Sequence, residues 1–140
     1  FDIVTAIMLI HYAGSKSEII NLLNNVKTCL KSGGLFYLLT INPKLAQVGY
    51  NAYGINLSGA KNEGESFEAT LSDFDGNKFC SFTNIFWKQE TYEQLFNEAG
   101  FSLEWFPGIV STEGIKEYGE EFWMEYLKNP VYTIIKAYKK

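Results

Sequence analysis

Soft metal ligands are scarce in this chain. Cys29, Cys80 and His11 are the only cysteines and the only histidine in 140 residues, and they match no metal-ligand spacing. No metal site is expected, and the two thiols are read as reduced, buried in the manner of small hydrophobes. Basic runs are also missing. Lys and Arg total 12 against 16 acidic residues, for a net charge of −4. That balance leaves no electrostatic footprint for nucleic acid. The longest apolar stretch, around 7–10, is too short to span a bilayer. No charged region, apolar run and cleavage site precede the first strand, so a cytoplasmic location is the expectation. Repeats, low-complexity tracts and linkers are absent too, and residues 1–140 are read as one structural unit. What the chain does have is 46% hydrophobic and 16% aromatic residues, enough for a globular domain with a real core.

The apolar pattern alternates between strands and helices. Phe1-Asp2-Ile3-Val4-Thr5-Ala6 reads as a strand buried on both faces. Ser15 and Glu18 form a capping box, and Ile19, Leu22, Leu23, Val26, Cys29 and Leu30 follow at helical spacing. Gly33-Gly34 ends that helix, and residues 35–41 form a second apolar strand that Asn42-Pro43 stops. Strand, helix and strand make a βαβ unit of a parallel sheet. Residues 44–64, with four glycines and no clear period, read as a long mobile segment with at most one short helix. A hairpin is expected over 66–72 and 78–87, turning at Asp75-Gly76 as type I′. A helix over 90–99 capped by Gly100, a strand over 101–106, a helical stretch over 112–128 and a last strand over 131–138 complete the chain. In the helical stretch Ile115, Tyr118, Phe122, Tyr126 and Leu127 are expected to face inward, with breaks near Gly114 and Gly119.

Three short motifs then fall into a familiar order. Phe1-Asp2-Ile3-Val4, Leu30-Lys31-Ser32-Gly33-Gly34 and Ala99-Gly100-Phe101 resemble, with the elements between them, the C-terminal half of a class I S-adenosylmethionine-dependent methyltransferase. Ser32 stands where that family usually has Pro. The resemblance implies an α/β, Rossmann-like methyltransferase fold, here the C-terminal half of a doubly wound sheet with an inserted antiparallel β-hairpin as a cap over about 65–87. It also implies that 131–138 runs antiparallel between the strands at 35–41 and 101–106. The family's glycine-rich cofactor turn has no counterpart in these residues, because Gly49, Gly54 and Gly59 do not follow a strand as GxGxxG. The expectation is therefore that an N-terminal half, or a partner chain, completes the sheet. A non-catalytic methyltransferase-like module is the alternative, and a nicotinamide enzyme a more distant one.

The resemblance implies S-adenosylmethionine as cofactor and a small molecule as substrate. Ala6, Ile7 and Met8 would then line the cofactor's methionine part, although plain core packing accounts for them equally well, and Tyr12 is a cofactor-side candidate that either stacks on the ligand or closes the core. His11 lies just past the first strand's carboxyl end, where an imidazole can take a proton at neutral pH; capping the next loop is the competing role. Asn42, Tyr50, Tyr53, Phe86 and Trp87 are the candidates for substrate contact, with Phe82 beside them as a possible apolar wall. Glu120 and Glu121 read as a solvated face.

Overall fold

The computed structural model describes all 140 residues. β1 (Ile3–Ile7) leads through a 3-10 turn (Ile10–Tyr12) into α1 (Lys16–Cys29) and then β2 (Leu35–Ile41). Ser15 Oγ accepts the Glu18 N–H at 3.2 Å, while the Glu18 carboxylate accepts from Gly14 N at 2.8 Å. The return bond of the expected box thus falls one residue further out. α1 buries Ile19 and Leu23. Cys29, its last residue, is exposed rather than buried, while the next residue, Leu30, packs into the core; Cys80 is half-buried.

Residues 43–57 are ordered, contrary to the mobile segment expected there. α2 (Pro43–Val48) starts on Asn42, and β3 (Tyr50–Ala52) and β4 (Ile55–Leu57) form a tight hairpin. Its two central residues, Tyr53 and Gly54, both have positive φ, the signature of a type I′ turn. A Cβ on Gly54 would sit 2.3 Å from Ser72 O, so backbone packs where a side chain would be. β5 (Ser66–Ser72) and β6 (Lys78–Ile85) pair next. The type I′ turn predicted at Asp75-Gly76 is instead a longer loop, closed by Asp73 N donating to Asn77 O and by the Asp73 carboxylate accepting from Asn77 N.

α3 (Gln89–Glu98) is capped from outside: Glu63 accepts from Lys88 N at 2.9 Å and from the Thr91 hydroxyl. After β7 (Phe101–Pro107) the helical stretch splits at Gly119 (φ +82) into α4 (Thr112–Tyr118) and α5 (Glu120–Lys128), and Gly114 breaks nothing. Of its expected inward residues only Tyr126 is buried; Tyr118, Phe122 and Leu127 are exposed, since these short helices lie at the rim. β8 (Tyr132–Lys139) ends the fold.

The first sheet has the order β1-β2-β8-β7, with β1 and β2 parallel and β8 antiparallel between β2 and β7. α1 and α3 pack on the same face, where Phe36, Leu38, Phe101 and Ile135 meet Leu23, Leu95 and Phe96. The opposite face carries no helix. Only Ala6 of β1 is buried, and Ile3 and Ile7 are 55% and 70% exposed. The two-sided burial expected of β1 is absent because it lies at the sheet edge and both helices cover one side. The second sheet, β3-β4-β5-β6, is antiparallel and stands over the carboxyl ends of β1 and β2, where its cap role was expected. It begins at Tyr50, earlier than the predicted hairpin. No helix is long and apolar enough to cross a membrane.

Candidate functional site

The site grows out of the end of β1. Met8 N still donates to Leu39 O at 2.9 Å, but Met8 itself turns left-handed (φ +53) and the strand stops. The 3-10 turn then folds back, anchored by Ile10, which is completely buried. Trp87 Nε1 donates to Ala13 O at 3.0 Å and pins the turn's exit to the second sheet's last strand connection. His11 is thereby driven inside, 3% exposed.

Its two nitrogens have different fates. Nδ1 lies 2.9 Å from Thr40 Oγ1, on the buried C-terminal part of β2. Nε2 is buried with no protein partner. Burial pushes the imidazole down to a pKa of about 4, so the ring is neutral at pH 7. An unpaired polar atom in such a place is costly, and native proteins leave few of them.

A cavity of about 260 Å³ opens here, with ten hydrophobic residues among the twelve that line it. Met8, His11 and Tyr12 form its floor with Ile41 from β2 and Val131 and Tyr132 at the start of β8. The roof is one face of the second sheet, where register places Leu57 opposite Ala69, Ala69 opposite Phe82, and Phe67 opposite Asn84. Asn84 is 1% exposed, and its side chain makes one long hydrogen bond, Nδ2 to Phe82 O at 3.4 Å. Four larger hollows, of about 730, 670, 480 and 380 Å³, lie around Asp73-Phe74, around Gln47 and Lys88, along Glu120 and Met124, and between Tyr53 and Val110, and none holds an unpartnered buried polar atom.

Of the predicted residues, the fold brings together Met8, His11 and Tyr12. Ala6 packs into the core beneath them, and Ile7 points to the open face. Asn42 uses both ends of its amide structurally: Oδ1 accepts from Lys44 N and Nδ2 donates to Pro130 O. Phe86 and Trp87 are core residues outside the cavity lining. Tyr50 packs beside the second core with its hydroxyl buried and unpartnered, its pKa pushed up to about 12 by that burial. Tyr53 clips α5, donating to Phe122 O and accepting from Tyr126 N. Asn84 was not singled out, although an Asn inside an aromatic strand is a legible signal. Leu57, Ala69, Leu71, Val131 and Tyr132 carried none.

No protein-family model and no curated protein matches the sequence. Solved structures do. A protein of Listeria monocytogenes, provisionally described as an S-adenosylmethionine-dependent methyltransferase, superposes with TM-score 0.65 at 21% identity, over 100% of this chain and 62% of its own. An S-adenosylmethionine-dependent methyltransferase of Mesorhizobium loti gives 0.63 at 17% identity, over 99% of this chain and 62% of its own. S-adenosylmethionine-bound CalS10, an amino pentose methyltransferase of Micromonospora echinaspora, gives 0.56 at 14% identity, over 100% and 58%. At these identities the likeness establishes the fold. The chain has the Rossmann-like α/β fold of such methyltransferases and spans about three fifths of their length.

Proposed function

We propose that this chain is the substrate-side half of an S-adenosylmethionine-dependent methyltransferase acting on a small molecule. One observation carries the reading: a buried, neutral histidine with an unpartnered Nε2 lines an apolar cavity at the carboxyl ends of β1 and β2. Open α/β sheets bind their ligands at those ends.

The residues present fit one side of the cofactor. The backbone from Ala6 to Met8 and the Tyr12 ring offer an apolar wall for its methionine part, and Tyr12 is 46% exposed. No acidic side chain lines the cavity to hold a ribose. The ribose and adenine contacts therefore fall to residues outside these 140, a half that would also cover the bare face of the first sheet. When bound, S-adenosylmethionine supplies a sulfonium-activated methyl group.

The chain's own residues orient the acceptor, exclude water and move a proton. With the proton on Nδ1, His11 donates to Thr40 Oγ1, and Nε2 keeps its lone pair for the acceptor's hydroxyl. Thr40 fixes the ring and tautomer. The second sheet roofs the site, and burial beneath it strengthens the polar contacts of His11 and Asn84.

His11→Gln in the full-length protein tests the role. Loss of a positioned base lowers kcat by about a hundredfold or more. Turnover close to wild type would reduce His11 to a structural residue. The competing module without transfer activity is favoured only by the missing glycine-rich turn, and a full-length protein that transfers no methyl group to any acceptor would establish it.

A further inference from the structure

The cavity's chemistry also selects its occupant; this inference rests on the substrate site proposed above. None of the residues lining it is charged. His11 is neutral, and burial raises the Tyr132 pKa, so that hydroxyl stays protonated. The chain contains no arginine, so it has no bidentate clamp for a carboxylate or phosphate. An ionic ligand would lose its hydration here and gain no counter-charge.

Size is the second limit. A cavity of about 150 Å³ accepts benzene. The 260 Å³ here has room for one ring with a short substituent. Tyr12, Phe82 and Tyr132 give it aromatic walls, which suit a flat ring.

Polar capacity is the third. Two side chains, both nearly sealed from solvent, line the cavity with hydrogen-bonding capacity to spare: His11, whose Nε2 is unpartnered, and Asn84, whose amide makes one long bond. An imidazole acceptor and an amide together match a single hydroxyl, which donates to one and accepts from the other. A phenol suits this pair better than an alkyl alcohol. Its hydroxyl ionises near pH 10, several units below an alkyl alcohol, so a neutral imidazole relieves it of a proton more readily.

We propose that the cavity binds a neutral, single-ring phenol, its hydroxyl held between His11 Nε2 and the Asn84 amide, with Asn84 as the residue that sets this specificity.

His11 is the only histidine, so its ring Cε1–H resonance in the full-length protein is a unique reporter. The titration uses p-cresol, toluene and 4-hydroxybenzoate, without S-adenosylmethionine. We expect saturable p-cresol binding that moves this resonance, with toluene and 4-hydroxybenzoate each at least about tenfold weaker. Asn84→Ala should bring p-cresol down to the affinity of toluene. Ala69→Leu should fill the space and abolish binding of both, so loss of the fold in one variant does not leave the question open. Equal or tighter binding of the carboxylate, no p-cresol shift, or an Asn84→Ala variant that still prefers p-cresol over toluene overturns the assignment. Methyl transfer is read separately. Saturable p-cresol binding without transfer to any acceptor refutes the methyltransferase reading and leaves the pocket standing, whereas transfer to a charged acceptor with no p-cresol shift does the reverse.

Discussion

At the scale of single residues, His11 links site and stability. In the unfolded chain its imidazole takes a proton near pH 6.5, and in the fold burial defers protonation to about pH 4. Between those values the unfolded state binds more protons. Stability present above pH 6.5 is therefore lost as pH falls toward 4. Going from pH 7 to 4.5, this one group should cost about 2 kcal/mol. Urea unfolding of wild type and His11→Phe at the two pH values isolates it. The wild type should lose about 2 kcal/mol more than the variant, even though the variant starts lower for want of the Thr40 bond. Equal losses would mean that water reaches the ring.

The elements around the site depend on a few tertiary clips. Tyr53 sits at the β3–β4 turn, yet its hydroxyl bridges Phe122 O and Tyr126 N, the pair an α-helix would join directly. Its ring also stacks on Trp123, with centroids 5.3 Å apart. Tyr53→Phe should cost about 1 kcal/mol and speed amide exchange at Tyr126 several-fold. Unchanged exchange would show that the helix closes its own ladder once the hydroxyl is gone. Gly54→Ala should be worse. It places a Cβ at φ +72 within 2.3 Å of Ser72 O, so the turn must move. A loss of more than about 1 kcal/mol in the unfolding free energy from urea titration is expected. Because Ile55 and Leu57 line the cavity, the same variant should weaken p-cresol binding.

Over the whole molecule, the helices cover one face of the first sheet and leave the other open. Ile3 and Ile7 stand on that bare face of β1, whose outer edge has no strand partner. An uncovered edge with apolar side chains invites association. The 140-residue chain by itself should therefore self-associate in sedimentation, and an added half that covers this face, as proposed above, should suppress it. It should also bind S-adenosylmethionine weakly. A micromolar ligand is worth about −8 kcal/mol, and losing roughly half of its contacts leaves millimolar binding or weaker. Micromolar binding in a calorimetric titration of the isolated chain would mean that the cofactor wall is complete within these residues.

Local chemistry made much of the architecture legible. The Ser15 cap, the apolar stripe of α1, the Gly33-Gly34 stop and the apolar run of β2 act over a few residues, so the βαβ unit could be read without coordinates. The short motifs carried the antiparallel placement of β8, through resemblance rather than pattern. The β3–β4 hairpin was hidden because its turn is Tyr-Gly, a pair with little turn signal, and its strands are three residues each. Burial was decided only in three dimensions. β1 and β2 have similar apolar composition, but one lies at an edge and the other between two strands. The site shows the same division. Sequence placed His11 past a strand end, because strand termination is local. Its Thr40 partner lies 29 residues away, the Trp87 bond that closes its loop reaches back 74 residues to Ala13, and Asn84 comes from the other sheet. Contacts across such distances depend on how the two sheets pack, and no local pattern encodes them.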